Sequence, residues 1–356
     1  MASITLSGIT KSFGGNRALR GLDLDIADGE FFVLLGRTGA GKTTTLRIIA
    51  GLEQPDSGTV AINGQDVGGR NAAERDVALV LQQYSLYPRL TVRGNLEFPL
   101  RSRIRKFSED EIAARVEKAA RTLQITPLLD RKVERLSGGE MQRVSIGRAI
   151  VREPQVFLMD EPLSALDAKL RESLRVELKA LHADLGATFL YVTHDQVEAM
   201  SMGDKIGVLR NGQLVQVGTP TEVYTRPRNT FVARSVGTPQ MNLMHATMGA
   251  GSARIDGQPV DLPVAVGEGE AGRALTLGIR PEDLVLEGGA PLEARVFDVE
   301  DHGVIKILTL DIGPARLHAT VSAKTHVALD EVVRLGWRPD KVLLFDRATG
   351  ENLAYG

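Results

Sequence analysis

The residues best suited to chemistry form a short glycine-rich run that ends in a lysine and a hydroxyl. Residues 36–43 read Gly-Arg-Thr-Gly-Ala-Gly-Lys-Thr, which is the P-loop spacing Gly-x-x-x-x-Gly-Lys-Thr. Glycines let successive backbone N–H groups converge on one anion, and the following helix offers its positive N-terminal end. Lys42 can then reach the outer phosphates of a nucleotide, and the Thr43 hydroxyl can bind Mg²⁺. The expected nucleotide contacts in this loop are Gly36, Arg37, Thr38, Gly39, Ala40, Gly41, Lys42, Thr43 and Thr44.

Two adjacent carboxylates supply the metal partner and the base that the loop lacks. Asp160 and Glu161 directly follow the apolar run Val156–Met159. Ligands of open α/β sheets lie at the carboxyl ends of the strands. We therefore expect Asp160 to hold Mg²⁺, directly or through water, and Glu161 to orient or deprotonate an attacking water. Together with the loop, this pair indicates a nucleotide-hydrolysing site.

A parallel sheet with helices between its strands would bring these residues together. The helical pattern Gly41–Ala50 follows the loop and ends at Gly51. Short apolar runs separated by helical patterns predict a parallel α/β sheet. The predicted strands are Phe31–Leu35, Val77–Leu81, Val156–Met159, Thr188–Val192 and Lys205–Leu209.

Two stretches depart from this alternation. Helices dominate from about residue 83 to residue 152, where Ser108 and Glu111 form a capping box, and we interpret this stretch as a helical subdomain. Asn211-Gly212 is typical of a hairpin turn.

After about residue 235 the helical periodicity fades, and short β-type runs recur between glycines and prolines. This pattern predicts a small all-β domain over residues 236–356, a sandwich or an OB-type barrel. The predicted strands are Leu275–Ile279, Leu292–Val299, Ile305–Leu310, Arg316–Val321 and Lys341–Phe345.

Composition limits the function further. The 356 residues hold 43 Lys plus Arg against 45 Asp plus Glu, so the basic excess typical of nucleic-acid binding is absent from the sequence. With no cysteine, disulfides and thiolate metal sites are excluded. We see neither a signal peptide nor an apolar run of the roughly 18–20 residues that span a bilayer. We expect a cytoplasmic protein whose membrane association comes through a partner.

Beyond the two motifs, the sequence resembles the ATP-binding cassette (ABC) family. Leu136–Glu140, which reads Leu-Ser-Gly-Gly-Glu, resembles the family's signature sequence, and Gln82 resembles the glutamine of its lid loop. Ser164–Asp167 resembles its D-loop and His194 its switch histidine. Phe13 stands where the family stacks an aromatic ring on adenine. These features occur in the family's order over roughly residues 1–235.

The resemblance implies an α/β P-loop NTPase domain over residues 1–235, with the helical subdomain at about 83–152. It implies a head-to-tail homodimer, or a pair with a closely related cassette, that encloses two ATP molecules. Glu161, His194 and Gln82 would be catalytic. Each ATP and its Mg²⁺ would contact two sets of residues, namely Lys42, Thr43, Gln82, Asp160, Glu161 and His194 of one subunit and Ser137, Gly138 and Gly139 of the other. Thr43, Gln82 and Asp160 would contact the metal.

Glu140 departs from the family pattern, in which the signature commonly ends in glutamine. A carboxylate near a helix start is favoured by the helix dipole, and it can accept hydrogen bonds from a ribose. It would repel nucleotide phosphates if it pointed at them. We therefore leave Glu140 out of the expected phosphate contacts.

The second domain indicates a branch of the family. Residues 231–242 and 278–283 resemble segments of the importer ATPases that serve maltose, other oligosaccharides, polyols and glycerol phosphates, in which the C-terminal β domain is regulatory. Similar domains occur on importers of oxyanions, polyamines and iron. Arg280-Pro281-Glu282 is either a charged turn that helps the β domain pack or a regulatory or dimer contact.

The resulting hypothesis is an ATPase subunit of a bacterial importer for a carbohydrate-type solute. Its implied partners are a second copy of itself, two transmembrane permease subunits and, indirectly, an extracytoplasmic solute-binding protein, with no nucleic acid. Its expected place is the cytoplasmic face of the inner membrane. The alternatives are an importer ATPase for another solute class, a soluble ABC ATPase that acts on DNA or ribosomes, and a nucleotide-sensing regulator without turnover.

Overall fold

A computed structural model describes most of the chain, namely residues 2–102, 106–249, 252–255, 261–263, 272–286, 292–313 and 315–355. The chain divides into two compact units, Met1–Pro220 and Thr221–Gly356. The predicted boundary between the ATPase domain and the β domain, at residues 235/236, stays a prediction.

The first unit is built from strands and helices that alternate along most of its length. Its strands are β1 Ile4–Phe13, β2 Asn16–Ile26, β3 Phe31–Gly36, β4 Ser57–Ile62, β5 Gln65–Asp66, β6 Val77–Val80, β7 Val156–Asp160, β8 Thr188–Thr193, β9 Lys205–Arg210 and β10 Gln213–Gly218. Its α-helices are α1 Lys42–Ile49, α2 Val92–Glu97, α3 Glu109–Thr122, α4 Gly138–Ile150, α5 Ala168–Leu185 and α6 Gln196–Met202.

Six strands form the sheet that positions the site, in the order β10-β9-β3-β8-β7-β6. Strands β9, β3, β8, β7 and β6 are parallel, and only the β9–β10 hairpin is antiparallel. Every residue of β3, β7 and β8 is buried, as expected for a sheet covered on both faces. Their carboxyl ends therefore lie side by side at one edge. The predicted parallel α/β sheet is confirmed, and the predicted turn at Asn211-Gly212 joins β9 to β10.

The first unit also contains an antiparallel sheet, β2-β1-β4-β5, that the sequence reasoning missed. The β1–β2 pairing shifts register between Leu6 and Ile9, near Gly8 with φ 61°. Such bulges interrupt the period-2 alternation by which a half-buried strand is recognised.

Helix α1 is anchored at the end remote from the glycine loop. Arg75 is buried, and its Nη1 donates to the carbonyls of Ile48 (2.7 Å) and Ile49 (3.0 Å) at the C-terminus of α1. Carbonyls in the last turn of a helix lack the N–H partner four residues on, so a cation that donates to them stabilises this end. The Ile48 carbonyl also accepts from the Gly51 N–H. Burial lowers the pKa of Arg75.

Helices α2, α3 and α4 occupy the stretch predicted to be helical. The α3 capping box is confirmed, because the Ser108 hydroxyl accepts from the Glu111 N–H while the Glu111 carboxylate accepts from the Ser108 N–H. Helix α4 contacts both α2 and α3.

The second unit begins with two short helices, α7 Pro220–Thr225, which starts at the last residue of the first unit, and α8 Thr230–Ser235. Its strands follow as β11 Asn242–Met248, β12 Ser252–Ile255, β13 Asp261–Pro263, β14 Ala274–Ile279, β15 Leu284–Leu286, β16 Leu292–Asp301, β17 Ile305–Ile312, β18 Ala315–Ser322, β19 Val332–Trp337 and β20 Leu343–Asp346. They form two five-stranded antiparallel sheets, β13-β12-β11-β14-β20 and β15-β19-β16-β17-β18. The all-β prediction is confirmed.

Arg280 is buried at the start of the turn that precedes β15. Its guanidinium donates to the carbonyls of Tyr224, Ala233 and Val236 and lies 3.9 Å from the centre of the Tyr224 ring. Burial lowers its pKa. These contacts give Arg280 a packing role inside the second unit, which agrees with the first of its two interpretations.

Candidate nucleotide-binding site

The glycine loop leaves the end of β3 and enters α1 at Lys42. Gly41 has φ 109°, and a Cβ atom there would lie 2.7 Å from the Ala18 carbonyl oxygen. Gly39 also has positive φ, at 79°. L-residues with side chains rarely adopt this conformation, so these two glycines allow the turn that directs the loop onto the first turn of α1.

The Lys42 side chain folds back into the loop. Its ammonium donates to the carbonyls of Gly36 at 2.9 Å and Arg37 at 3.2 Å, and it lies 3.2 Å from a Glu161 carboxylate oxygen. Only 5% of the residue is exposed. The buried cation is therefore fixed by three acceptors at the centre of the site.

Asp160 ends β7 beside the first turn of α1. Its Oδ1 accepts a 3.1 Å hydrogen bond from the Thr43 hydroxyl. Burial raises the pKa of Asp160, and the Thr43 hydrogen bond opposes this rise only in part. A hydroxyl and a carboxylate oxygen at this separation are the hard oxygen donors that Mg²⁺ prefers.

Glu161 joins the strand ends of β7 and β8. Its backbone N–H donates to the Val192 carbonyl oxygen at 3.0 Å, and its Oε2 lies 2.7 Å from His194 Nδ1. Glu161 has φ 45°, in the left-handed region that residues other than glycine seldom occupy. Such backbone geometry concentrates at functional sites, where the surroundings enforce it.

Gln82 follows β6 and reaches the site indirectly. Its Nε2 donates to the Ser164 hydroxyl at 3.3 Å, and this hydroxyl donates to the Glu161 carbonyl at 2.8 Å. The amide is thus directed at the segment after Glu161. The sequence reasoning expected Gln82 at the metal and did not foresee this hydrogen bond to Ser164.

The signature residues lie at the N-terminus of α4. Ser137 is the N-cap, and the Glu140 carboxylate accepts from both its N–H (2.7 Å) and its hydroxyl (2.9 Å). These two hydrogen bonds lower the pKa of Glu140. Gly139 is packed closely, because a Cβ atom there would lie 2.3 Å from Leu170 Cδ2. Glu140 therefore closes a capping box, a role that the sequence reasoning did not consider for it.

The structure brings part of the expected set together. Hydrogen bonds and ion pairs connect Lys42, Thr43, Asp160, Glu161 and His194 either directly or through their neighbours, and Gln82 joins them through Ser164. Within the described part of the chain, no hydrogen bond or ion pair connects this group to Ser137, Gly138, Gly139 or Phe13. Phe13 is 47% exposed, with Lys11 Nζ 5.2 Å from its ring centre. Arg37, Thr38, Gly39 and Thr43 are exposed, whereas Gly36, Ala40 and Gly41 are buried and Thr44 is partly buried.

The sequence reasoning missed a group of residues that support the loops after β7 and β8. Arg171 connects the two loops, and Asp195 caps α6. Glu198 is buried and accepts hydrogen bonds from Tyr191 and Thr193. The capping position of Asp195 could have been recognised from its place before the Gln196–Met202 pattern. The other contacts span between 5 and 24 residues and follow no local sequence pattern.

Fold and site together define a P-loop nucleotide hydrolase. In the described part of the chain, no helix combines the length and the apolar character needed to cross a membrane. No cluster of three or more His, Cys, Asp or Glu side chains suited to a metal ion was found among the described residues.

Comparison with family models gives three matches along the chain. The ABC transporter model matches residues 19–164, the MalK OB fold domain model residues 237–284 and the TOBE domain model residues 277–345. The last two lie in the predicted β domain.

Relatives match over the full length. The chain is 46% identical to the sn-glycerol-3-phosphate import ATP-binding protein UgpC of Ruegeria pomeroyi, over 99% of this chain and 100% of that protein. It is 46% identical to the sulfoquinovosyl glycerol transport ATP-binding protein SmoE of Agrobacterium fabrum, with the same coverage. It is 44% identical to the trehalose/maltose import ATP-binding protein MalK of Thermococcus litoralis, over 99% of both chains.

Solved structures agree. A dimeric post-hydrolysis state of the ATP-binding cassette MJ0796 bound to ADP and Pi is 33% identical, with TM-score 0.55, over 61% of this chain and 98% of that one. The structure of cbiO1 from Clostridium perfringens, part of the ABC transporter complex cbiONQ, is 28% identical, with TM-score 0.58. The match covers 62% of this chain and 89% of that one. The chain therefore belongs to the ABC transporter family of ATP-binding proteins, and it carries the OB and TOBE domains of the MalK type.

Proposed function

We propose that this chain hydrolyses ATP to drive uptake of a carbohydrate-type solute through partner membrane subunits. The observation that carries hydrolysis is the Glu161 carboxylate, held 3.2 Å from Lys42 Nζ and 2.7 Å from His194 Nδ1 at the end of a buried strand. The solute class is supported by relatives named for glycerol phosphate, sulfoquinovosyl glycerol and trehalose or maltose, which are all rich in hydroxyl groups.

The loop and its lysine bind the nucleotide. Backbone N–H groups of residues 36–43 and the N-terminus of α1 hold the phosphates, and Lys42 neutralises the outer ones. Glu161 takes a proton from the attacking water. The water oxygen forms a bond to the terminal phosphorus while the bond from this phosphorus to the leaving ADP oxygen breaks. His194 holds the Glu161 carboxylate in place. Phe13 stacks on adenine.

Thr43 and Asp160 would hold Mg²⁺, and the Gln82 amide oxygen would join them. Mg²⁺ supplies positive charge that stabilises the transferring phosphoryl group. The fit rests on the 3.1 Å contact of the Thr43 hydroxyl with Asp160, which places two oxygen donors beside the loop. Mg²⁺ that binds together with nucleotide phosphates usually takes only a few ligands from the protein.

The signature residues serve a second copy of the chain. Ser137, Gly138 and Gly139 stand at the N-terminus of α4, a 13-residue helix whose positive end favours a phosphate. In a head-to-tail homodimer these residues would bind the terminal phosphate of the partner's ATP. The dimer would contact two permease subunits at the cytoplasmic face of the membrane, and an extracytoplasmic binding protein would deliver the solute.

We also propose that residues 1–235 carry the ATPase and that residues 236–356 regulate it. Deletion of residues 240–356 should leave ATP binding intact and change dimer stability or control. Complete loss of ATP binding would place the boundary elsewhere.

The central test compares the full chain with Lys42→Ala for ATP binding and Mg²⁺-dependent phosphate release. We expect hydrolysis by the wild type and weakened nucleotide binding by the variant, with Lys169→Ala as a control on the exposed first turn of α5. Normal ATP affinity of Lys42→Ala would contradict the phosphate assignment. Solute uptake into vesicles with the permease subunits then tests the sugar class against oxyanions, polyamines and iron.

A further inference from the structure

The two loops that carry Glu161 and His194 are connected in two ways, by their mutual contact and by the side chain of Arg171. The first loop, residues 161–167, follows β7, and the second loop, residues 194–195, follows β8. Within the site, the loops meet through the 2.7 Å contact of Glu161 Oε2 with His194 Nδ1. Any change in the spacing of the loops must alter this contact.

Arg171, in the first turn of α5, makes the second connection. Its Nη2 donates to the Leu166 carbonyl in the first loop at 3.0 Å, and its Nη1 donates to Asp195 Oδ2 in the second loop at 3.4 Å. The planar guanidinium presents several N–H donors in a fixed fork, so one side chain can hold two acceptors at a set separation. Lysine, with a compact ammonium, has no such fork.

The acceptor in the second loop is itself fixed. The other oxygen of Asp195, Oδ1, accepts from the N–H groups of Val197 (2.7 Å) and Glu198 (3.2 Å) and so caps α6. The Asp195 N–H donates to the Thr193 hydroxyl at 2.9 Å, and this hydroxyl donates to Glu198 at 2.6 Å. His194 lies between Thr193 and Asp195, and hydrogen bonds fix both of these residues. The backbone of His194 therefore follows the position of Asp195.

We propose that Arg171 is a positioning residue for ATP hydrolysis, which sets the distance between His194 and Glu161 by bridging the two loops. This inference rests on the proposed function, because it assigns a role in the same reaction. Within the described part of the chain, no hydrogen bond or ion pair joins Arg171 to residues 36–44 of the glycine loop, so its removal should affect the chemical step and spare nucleotide binding.

The test measures kcat and KM for ATP in the full-length protein carrying Arg171→Ala or Arg171→Lys. We expect kcat to fall about tenfold in both variants while KM stays within about twofold, since misplacement of a catalytic group slows chemistry without removing binding contacts. Arg175→Ala is the matched control, one turn further along α5, and it should retain the wild-type kcat. Thermal melting confirms that each variant is folded.

A double-mutant cycle identifies the route of the effect. If Arg171 acts through His194, Arg171→Ala should lower the rate of ATP hydrolysis no further in a His194→Ala background. Single-turnover assays with excess enzyme can measure these slow rates. An additive loss in that background, an unchanged kcat in Arg171→Ala, or an equal loss in Arg175→Ala would overturn the inference. Failure of the wild type to hydrolyse ATP would instead contradict the proposed function itself.

Discussion

The Lys42 ammonium and the Glu161 carboxylate form a 3.2 Å ion pair that connects the loop after β3 to the loop after β7. The Lys42 side chain is 5% exposed and that of Glu161 is 15% exposed, so water screens the pair weakly. The same carboxylate also contacts His194. The cation that we propose to bind phosphate and the proposed base are therefore coupled before any substrate is considered.

Glu161→Gln tests the base. The amide keeps the shape of the side chain but cannot take a proton, so we expect ATP turnover to fall by ~10²–10⁴-fold while ATP binding persists. Phosphate release and equilibrium nucleotide binding measure the two effects. Glu172→Gln, at an exposed position on α5, should behave as the wild type. Undiminished hydrolysis in Glu161→Gln would remove this residue from its role.

Asp160→Asn tests whether the buried charge of this proposed metal ligand lowers the free energy of unfolding. Burial raises the pKa of Asp160 above its ordinary value of 3.8. The folded protein therefore keeps a proton in the window just above that value, where the unfolded chain has already lost it. Stability falls as pH rises through this window, and the loss is complete once the pH exceeds the folded-state pKa of Asp160. Asparagine still accepts from Thr43 but carries no charge.

We therefore expect Asp160→Asn to stabilise the protein by on the order of 1 kcal/mol at neutral pH, as is common when a functional group is neutralised. It should abolish Mg²⁺-dependent hydrolysis. Urea unfolding monitors stability, and the gain should shrink as the pH is lowered toward about 4. A variant less stable than the wild type at neutral pH would disprove this prediction.

Glu140→Gln tests the capping role of the signature carboxylate. The Ser137 N–H and hydroxyl lower the pKa of Glu140 from its ordinary 4.5. Its contribution to stability is therefore present above that value and is lost as pH falls through the folded-state pKa. Glutamine can still close the box, and the carboxylate is partly exposed, so we expect a loss of only about 0.5 kcal/mol.

The same exchange in the α3 box, Glu111→Gln, provides the comparison, since hydrogen bonds from Ser108 likewise lower the pKa of Glu111. In both variants, urea unfolding should show a loss of stability at neutral pH that disappears at acidic pH. If Glu140→Gln also changes ATP hydrolysis while Glu111→Gln does not, Glu140 acts beyond capping.

Gly139→Ala tests the close packing of α4 on Leu170. The added methyl group would lie 2.3 Å from Leu170 Cδ2, so the leucine must move, at a cost of about 1–3 kcal/mol. In a Leu170→Ala background this cost should largely vanish, which a double-mutant cycle of unfolding energies can measure. Additive costs would refute the packing explanation. Hydrolysis that stays low after stability is recovered would support a separate phosphate contact at Gly139.

The sequence predicted the elements whose patterns are local. The loop at residues 36–43, the strands that precede Gly36 and Asp160 and the Ser108 capping box all depend on neighbours within a few residues. The five parallel strands of the six-stranded sheet followed from their short apolar runs. Five strands of the second unit were also found, although their ends were misjudged by a few residues.

Two kinds of feature could not be predicted: strands whose bulges interrupt the alternation of apolar and polar residues, and contacts between distant parts of the chain. The N-terminal antiparallel sheet was missed because its bulges interrupt the period of two. Strand β19 was missed, although it lies between two other strands of its sheet. The Gln82–Ser164 and Arg171–Asp195 hydrogen bonds depend on which loops the sheet order brings together, and one sequence does not contain that order.

The anchoring of α1 by Arg75 limits how this helix can move. Sliding along its axis would break the two hydrogen bonds that Arg75 donates to Ile48 and Ile49. Arg75 also lies two residues before β6, whose far end leads to Gln82. The helix that we propose to face the phosphates is thus fixed to the segment that leads into β6, an edge strand of the six-stranded sheet. Rearrangement during a catalytic cycle should therefore fall on the loops at the strand ends, and backbone amides of α1 should rank among the slowest to exchange with deuterium.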